Sequence, residues 1–246
     1  MQYKITPPTH IEDTIQLPAS KSISNRALII HALAGGNIMP ENLSTCDDTA
    51  VIARAFKDNP YEIDIMAAGT AMRFMTAYLV VTEGEHVLTG TERMKQRPIK
   101  ILVDALRSLG ADIQYVGEEG FPPLRIKGKR LTGGSIEVAG NVSSQYVSAL
   151  LMIGPTLEKG LELKLLGNVI SRPYIDLTLN LMNEYGADAE WTDIDTITIR
   201  PKRYEERSYT IENDWTSASY WYAILTLLND RKSYIRFPGL KNGSRQ

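Results

Sequence analysis

An internal repeat constrains the fold of this 246-residue chain more than any other feature. Two segments, 97–116 and 172–192, each contain an Arg-Pro start, an amphipathic helix, a glycine at the helix end and a returning strand. Proline is favoured in the first turn of a helix, and glycine just past its last turn. A short polar turn then leads to a second strand, at 124–127 in the first segment and at about 196–200 in the second. Each segment therefore predicts a helix followed by a β-hairpin.

A nearly all-apolar helix and a strand precede each of these segments, and the strands fall at 85–89 and 161–166. Helices that are apolar on every face are buried, so we expect both to run through the middle of a domain. The full unit is then strand, buried helix, strand, surface helix, strand, strand. This β-α-β-α-β-β order predicts the α/β fold class.

A more degenerate third copy extends over 22–65. Its apolar helix is followed by elements expected near 37–39 (strand), 48–56 (helix) and 62–66 (strand). Three copies predict one complete domain from about 20 to 212. We expect residues 1–19 and 213–246 to form an incomplete part of a second, similar domain.

Small polar segments precede four apolar helices. They lie at 18–26, 68–73, 141–146 and 213–220. The N-terminus of a helix attracts anions, because its first N–H groups are open and its dipole is positive there. If the four N-termini converge, their effects add. We therefore predict a binding surface for phosphate or carboxylate groups where these helices begin.

Two cations, Lys21 and Arg26, lie at the start of the first of these helices. Positive charge is unfavourable there because the helix dipole is already positive. Taken alone, the segment leaves two interpretations open: an ordinary capped helix with solvated charges, and an anion site made by N–H groups, hydroxyls and cations. The recurrence of the pattern along the chain favours the anion site.

The bulk composition argues against several other functions. The net charge of −2 gives no reason to expect a nucleic-acid or membrane partner, so any anion site must be local. No apolar run reaches transmembrane length, and residues 1–8 lack the apolar core of a signal peptide. Cys46 is the only cysteine, and the three histidines lack a metal-ligand spacing. A cytoplasmic enzyme without a metal is therefore the default expectation.

Six motifs, in order along nearly the whole chain, resemble those of the 5-enolpyruvylshikimate-3-phosphate synthase family. They are Pro-Ala-Ser-Lys-Ser-Ile-Ser-Asn-Arg-Ala at 18–27, Ala-Gly-Thr-Ala-Met-Arg at 68–73, Arg-Met-Lys-Gln-Arg-Pro-Ile at 93–99, Ser-Ser-Gln-Tyr-Val-Ser-Ala-Leu-Leu at 143–151, Ser-Arg-Pro-Tyr-Ile-Asp-Leu-Thr-Leu at 171–179 and Asp-Trp-Thr-Ser-Ala-Ser-Tyr at 214–220. Six ordered motifs are far more specific than any single one.

The resemblance implies an enolpyruvyl transferase fold, in which two domains of three β-α-β-α-β-β copies close on ligands between them. It also implies transfer of the enolpyruvyl group of phosphoenolpyruvate to the 5-hydroxyl of shikimate 3-phosphate, in aromatic amino-acid biosynthesis. Complete members of the family are nearly twice as long. We therefore expect a truncated chain or natural fragment that binds shikimate 3-phosphate and is inactive alone. No cofactor is implied, and the full-length form is expected to be a monomer.

The resemblance also implies a site for the acceptor, shikimate 3-phosphate. Its residues are Lys21, Ser22, Arg26, Ser143, Ser144, Gln145, Ser171 and Tyr174. In the family, the matching residues of Ser22 and Arg26 hold the carboxylate. The three serines matching Ser143, Ser144 and Ser171 surround the 3-phosphate, and the tyrosine contacts the shikimate end.

The implied site for the donor, phosphoenolpyruvate, contains Lys21, Gly69, Thr70, Arg97 and Gln145. Gly69 and Thr70 resemble a backbone cradle beneath the donor, and Arg97 is expected to pair with its phosphate. Gln145 is expected to lie between the two substrates. Lys21 is the implied catalytic residue, and two roles stay open for it, as a proton carrier or as a charge clamp.

Plain structural roles stay open for several of these residues. Ser22 and the Ser143-Ser144 pair can be helix caps, although one residue suffices as a cap. Arg97 can be a surface cation, and Tyr174 can pack on its helix. For Asp214, a cap and a functional role are equally compatible with the sequence.

Two other functions also stay open. A UDP-N-acetylglucosamine enolpyruvyl transferase shares the fold and the donor, but that family uses a cysteine on a mobile loop, and Cys46 lies in a different context. A non-catalytic phosphate-binding module would keep the anion site without the chemistry. Ala67 stands where the family usually has Asn, and Phe74 where many members have Pro or a small aliphatic residue. Ala67 lacks the side-chain hydrogen-bond donor that Asn would supply near phosphoenolpyruvate. Phe74 puts the expected helix packing beneath Gly69 in doubt.

Overall fold

The computed structural model of the chain describes residue 4 and residues 6–246. The strands are β1 (Glu12–Thr14), β2 (Glu62–Asp64), β3 (Gly84–Thr89), β4 (Asp112–Tyr115), β5 (Leu124–Gly128), β6 (Gly134–Ala139), β7 (Leu161–Leu166), β8 (Ala189–Trp191), β9 (Thr196–Ile199) and β10 (Tyr234–Arg236). The helices are α1 (Lys21–Leu33), α2 (Asp47–Asp58), α3 (Gly69–Val81), α4 (Glu92–Lys95), α5 (Lys100–Ser108), α6 (Ser144–Ile153), α7 (Arg172–Glu184) and α8 (Trp215–Leu228).

Two four-stranded sheets of the same topology confirm the internal repeat. Their strand orders are β2-β3-β5-β4 and β6-β7-β9-β8. In each sheet, the first two strands are parallel and the other neighbours are antiparallel. A buried helix, α3 or α6, connects the parallel pair, as a parallel connection requires. The predicted β-α-β-α-β-β unit is therefore present twice, with boundaries shifted by one or two residues.

The surface helix of each unit ends as the sequence predicts. In α5, Leu102, Val103 and Leu106 form the buried stripe of an amphipathic helix. Beyond the helix ends, Gly110 and Gly186 adopt positive φ angles of 95° and 84°. This left-handed conformation is costly for residues with a Cβ, so glycine allows the chain to reverse into the following strand.

The first copy departs from the prediction. Residues 37–39 form bends and irregular backbone, so the strand expected there is wrong. The strand expected near 62–66 is shorter, and it pairs with β3 as the first strand of the next sheet. Within the described part of the chain, the first copy therefore contributes α1 and α2 without a sheet of its own. Glu206 fixes the loop instead, because its carboxylate accepts hydrogen bonds from the amides of Asn37 and Ile38.

Three of the four apolar helices are buried, as predicted, and they pack on one another. α1 buries every residue from Ile23 to His31, and α6 every residue from Tyr146 to Ile153. The prediction is wrong for α8, in which only Ala218 is buried. Among the described residues, α8 has no helix packing comparable to that of α6, which contacts α1, α3, α5 and α7.

β1 and β10 form a separate two-stranded parallel pair, and Phe237, just after β10, packs edge-on against Tyr222 of α8. Two chain segments connect this pair to the rest of the molecule, and they run antiparallel at Ala19 and Asn213. Ser20 N donates to Glu212 O, and Asp214 N donates to Pro18 O, both at 2.9 Å. The predicted domain boundaries fall at these bonds, and the division into domains stays a prediction. In the part of the chain described, no helix has the length and apolar run needed to cross a membrane.

Candidate active site

The N-terminal turns of α1, α3, α6 and α8 meet around one cavity of about 390 Å³. It is lined by Lys21, Ser22, Asn25, Arg26, Thr70, Ser143, Ser144, Gln145, Tyr174, Asp214 and Thr216. The structure thus brings eight of the eleven predicted site residues together, and only Gly69, Arg97 and Ser171 are outside the lining. A larger groove of about 970 Å³ lies at the other ends of α1 and α3 and contains none of the predicted residues.

The serines at the starts of α1 and α6 have two different roles: one in each pair caps its helix, and the other lines the cavity with its hydroxyl group unused by the described residues. Ser20, which precedes α1, and Ser143, which precedes α6, are the N-caps, and each Oγ accepts a backbone N–H at 3.4 Å. The hydroxyls of Ser22 and Ser144 have no hydrogen-bond partner among the described residues, and both line the cavity. Because the caps are already supplied, these two hydroxyls are available to an anion.

Arg26 is a buried cation at the floor of this cavity, with 3% of its surface exposed. Its Nε donates to Thr178 Oγ1 at 2.7 Å, its Nη1 to Ser22 O at 2.9 Å and its Nη2 to Ser148 Oγ at 2.9 Å. No carboxylate of the described chain forms an ion pair with it. Burial lowers the pKa of Arg26 to about 10, so the guanidinium is charged at neutral pH. A buried cation without a counter-charge is costly, and a bound anion removes that cost.

Asp48 connects α2 to the starts of α1 and α3. Its Oδ1 accepts a hydrogen bond from Thr70 N at 2.9 Å, and its Oδ2 lies 4.0 Å from Lys21 Nζ. The carboxylate therefore occupies one of the open N–H groups at the positive end of α3. Lys21 is about half exposed beside it, so the contact contributes little to stability and leaves the ammonium group accessible.

Arg97 lies directly against Gly69, the first residue of α3. A Cβ at position 69 would collide with the Arg97 guanidinium, so glycine is what allows this approach. Arg73, one turn further along α3, donates from Nη1 to Gly69 O at 2.7 Å and stacks on Tyr146. Burial lowers the pKa of Arg73, and nearby Arg97 lowers it further. Two cations thus lie close together at the start of α3, beside the cavity.

Gln145 joins the two predicted halves of the site, because its Nε2 donates to Thr70 Oγ1 at 3.2 Å. Tyr174 contributes an exposed ring at the start of α7. Ser171, just before α7, is outside the cavity lining and adopts a left-handed φ of 60°. A serine in this conformation is strained, and its side chain does not cap the helix. The hydroxyl of Ser171 therefore has no structural role in starting α7.

Besides Thr216, which lines the cavity from α8, three polar residues in or beside the cavity were not predicted. Asn25 is fully buried, its Oδ1 accepts from Thr49 Oγ1 at 2.7 Å, and its Nδ2 has no partner among the described residues. Asp48 and Arg73 are the other two. Asn25 and Arg73 lie within the motifs at 18–27 and 68–73. Asp48 lies at the start of α2, which the sequence predicted as a helix. Asp214 both caps α8, through Thr216 N at 2.9 Å, and lines the cavity.

The fold and the cavity define a class of protein: an α/β domain of repeated units whose buried helices begin at one polar cavity. The sequence profile of the EPSP synthase family, described as EPSP synthase (3-phosphoshikimate 1-carboxyvinyltransferase), matches residues 5–58 and 54–235. The chain belongs to the EPSP synthase family. This confirms the family and the fold class predicted from the six motifs.

Similar proteins include two enzymes named 3-phosphoshikimate 1-carboxyvinyltransferase. The one from Bacteroides fragilis (strain ATCC 25285) is 61% identical over 227 residues, which are 92% of this chain and 55% of that protein. The one from Histophilus somni (strain 2336) is 37% identical over 273 positions, with 98% of this chain and 62% of that protein covered. The chain therefore spans about half the length of the relatives that it matches.

A solved structure supports the fold. EPSP synthase from Acinetobacter baumannii superposes with a TM-score of 0.75 at 22% sequence identity, over 88% of this chain and 54% of that chain. At this identity the likeness supports the α/β architecture of the chain and carries no statement about its site.

Proposed function

We propose that this chain supplies the acceptor site, and part of the donor site, of an enolpyruvyl transferase. In the proposed reaction, the 5-hydroxyl of shikimate 3-phosphate adds to phosphoenolpyruvate, and inorganic phosphate is then eliminated. The observation that carries the proposal is Arg26, a buried guanidinium that lines the cavity without an ion-paired carboxylate in the described chain. Membership of the EPSP synthase family supports the same reaction.

The proposed acceptor contacts follow from the chemistry of the cavity. Arg26 and Ser22 bind the carboxylate of shikimate 3-phosphate, because a guanidinium edge matches the geometry of a carboxylate. The N-terminus of α6, with Ser143 and Ser144, binds the 3-phosphate. Tyr174 contacts the ring of the acceptor from α7. We include Ser171 among the phosphate ligands because its hydroxyl is not used to cap α7.

The proposed donor contacts lie at the start of α3. Gly69 binds phosphoenolpyruvate through its backbone N–H group, and Thr70 through its hydroxyl group, because the Thr70 N–H already donates to Asp48 Oδ1. Arg97 binds the donor phosphate through the guanidinium that lies on Gly69. Gln145 lies between donor and acceptor, which its hydrogen bond to Thr70 supports.

The reaction needs a proton delivered to the methylene carbon and later removed, and a base for the 5-hydroxyl. Both substrates carry a phosphate and a carboxylate, so the site must also offset strong repulsion between them. We assign Lys21 the role of a charge clamp, since an ammonium group can neutralise part of that charge without giving up its proton. Proton transfer by Lys21 is the alternative.

The proposal extends to the organisation of the chain. Residues 20–212 form one complete domain, which contains two full β-α-β-α-β-β repeats and a reduced first copy made of α1 and α2. Residues 1–19 with 213–246 belong to the second domain. The whole protein acts as a cytoplasmic monomer whose two domains close on the substrates, because closure brings the reacting groups into contact and excludes water. The separate β1–β10 pair, with Phe237 packed against Tyr222 of α8, supports a second body.

Calorimetric titration of the 246-residue chain with shikimate 3-phosphate tests the proposal. We compare the unmodified chain with Arg26→Met, which keeps the side-chain length and removes the charge. Arg107→Met is the matched control, because Arg107 packs on Tyr115 outside the cavity. We expect Arg26→Met to weaken binding by about tenfold or more, and Arg107→Met by less than about twofold.

A titration with a second ligand and a turnover assay separate the alternatives. Binding of UDP-N-acetylglucosamine in preference to shikimate 3-phosphate would favour the other enolpyruvyl transferase family. Binding of shikimate 3-phosphate without turnover, even when the remaining half of a relative is supplied in trans, would favour a non-catalytic module. Equal binding by both arginine variants and the unmodified chain would contradict the proposed acceptor site.

A further inference from the structure

We infer that Thr178 and Ser148 are positioning residues for the acceptor carboxylate, acting through Arg26. The inference rests on the proposed function, because it concerns how Arg26 is presented to shikimate 3-phosphate. Neither hydroxyl lines the cavity, and both side chains are fully buried. They come from α7 and α6, whereas Arg26 comes from α1, so three helices meet at one guanidinium.

The hydrogen bonds among these groups form a network with only one consistent direction. Thr178 Oγ1 lies 2.7 Å from Tyr174 O, which can only accept, so the hydroxyl hydrogen of Thr178 is donated there. Ser148 Oγ lies 2.8 Å from Thr178 Oγ1, and Ser148 must therefore be the donor in that pair. Arg26 Nε and Nη2 donate to the remaining lone pairs of Thr178 and Ser148. Every hydroxyl hydrogen of the network has an acceptor.

The choice of hydroxyls at these positions has an electrostatic consequence. A carboxylate at either position would neutralise Arg26 and compete with an acidic ligand for it. Hydroxyl oxygens accept from the guanidinium while leaving its net positive charge in place. Three of the five N–H groups of Arg26 are used within the described chain, which leaves two for a ligand. The network thus fixes the orientation of the cation without reducing its charge.

The same network connects Arg26 to a second residue of the cavity. The carbonyl group that accepts from Thr178 belongs to Tyr174, whose side chain lines the cavity one turn earlier on α7. The guanidinium carbon of Arg26 lies over the Phe74 ring of α3, 5.3 Å from the ring centroid. The guanidinium is thereby held by hydrogen bonds to the hydroxyls and by contact with an aromatic ring.

The experiment measures binding of shikimate 3-phosphate, and of its neutral carboxylate methyl ester, to variants of the whole chain. Thr178→Val removes the hydroxyl while keeping the side-chain shape, Ser148→Ala removes the second hydroxyl, and Thr178→Ser restores the first. Thr76→Val is the matched control: Thr76 is also fully buried in a helix and donates to the carbonyl four residues earlier, but it is not a hydrogen-bond partner of Arg26.

We expect Thr178→Val and Ser148→Ala each to weaken binding of shikimate 3-phosphate by about fivefold to tenfold. The same variants should weaken binding of the methyl ester by less than about twofold, because the ester no longer presents a charge to Arg26. Thr178→Ser and Thr76→Val should bind both ligands like the unmodified chain. A merely structural role of the hydroxyls predicts equal losses for both ligands.

Two results would overturn the inference, and only the second of them would also overturn the proposed function. If the unmodified chain binds shikimate 3-phosphate and Thr178→Val binds it equally well, or loses both ligands equally, the positioning role is wrong and the proposed function stands. If the unmodified chain does not bind shikimate 3-phosphate at all, both the proposed function and this inference fail. Circular dichroism and a thermal melt of each variant identify losses that come from misfolding.

Discussion

Helices α6 and α8 have similar sequences and opposite environments. Neither contains a charged residue, and both consist mainly of aliphatic, aromatic and small side chains. α6 is enclosed by α1, α3, α5 and α7, so that everything after its first two residues is buried. α8 buries only Ala218 and exposes Tyr220, Tyr222, Ile224 and Leu227. Apolar composition therefore predicts that a helix can be buried, whereas the surrounding elements decide whether it is.

The first turns of the same two helices are alike. Each is capped by a side chain, Ser143 for α6 and Asp214 for α8, and each lines the same cavity. The difference between the helices thus begins after the first turn. In α8, the turn that faces the candidate site is fixed locally by its cap, while the body of the helix has little tertiary support among the described residues.

Truncation of a leucine in each helix should give the largest contrast. Leu150→Ala in α6 leaves a cavity in the core, and we expect it to lower the free energy of unfolding by about 3 kcal/mol. Leu227→Ala in α8 removes a side chain that is 85% exposed, so the change should stay within about 0.5 kcal/mol. Urea denaturation of both variants measures this contrast. Equal losses would mean that α8 is covered in solution.

Removal of a threonine hydroxyl should give the second-largest difference in the free energy of unfolding between the core and α8. Thr49→Val removes the donor to Asn25 Oδ1, which lies in the core of the first copy and has no other partner among the described residues. We expect a loss of about 2 kcal/mol, because a buried polar group is left unsatisfied. Thr226→Val is the control: it removes an exposed α8 hydroxyl that bonds Tyr222 O and should have little effect. The same urea titrations apply, and a stability of Thr49→Val equal to that of the control would contradict this account.

Removal of the α8 cap should have a smaller and local effect. Asp214→Ala leaves the Thr216 N–H and the Ser217 hydroxyl without their carboxylate acceptor, which we expect to cost about 1 kcal/mol. Amide hydrogen exchange should be faster at Thr216, with unchanged protection in α6. Asp214→Asn keeps a capping oxygen and should retain most of the protection. Uniform loss of protection across both helices would show that the cap supports the whole fold.

Acid should loosen the β1–β10 pair before the core. A hydrogen bond from His10, with further bonds from Ser233 and the Lys232 amide, lowers the pKa of Asp230 to about 2 from its usual 3.8. A carboxyl group with a lowered pKa stabilises the folded state above the unfolded value and loses this effect as it becomes protonated. We therefore expect protection of the Tyr234 amide to fall between about pH 4 and pH 2.

Asp230→Asn is the control for the acid experiment, because it cannot titrate. Its β1–β10 amides should show no change in protection over the same pH range once the intrinsic exchange rates are taken into account. A similar pH response in the variant and the unmodified chain would assign the effect to another group.

Much of the fold was predictable because its signals are local. Proline at the helix start and glycine past the helix end predicted α5 and α7, and the hairpins followed from short polar turns. The strand expected near 37–39 was wrong because isolated apolar residues there have no partner strand, and Glu206, distant in sequence, holds the loop. The prediction that α8 is buried was wrong for the same reason, since the local sequence of a helix does not show which elements pack against it.

The candidate site was predictable to a similar extent. The polar helix starts and the motif residues identified Lys21, Arg26 and Ser144, which the structure brings to one cavity. Asn25 and Asp48 were missed because their importance comes from an unpartnered amide group and from a hydrogen bond to another helix. Neither property is visible in the order of residues along the chain.

By itself, the sequence determined the helices, the hairpins, the repeat and the family of this chain, because each depends on spacing, caps or motifs within a short segment. Only the tertiary structure decided that Thr178 and Ser148 hold Arg26, that Asp48 lies at the start of α3, and that α8 is exposed where α6 is buried. These features depend on contacts between residues far apart in the chain, and such contacts form only when the helices pack against one another.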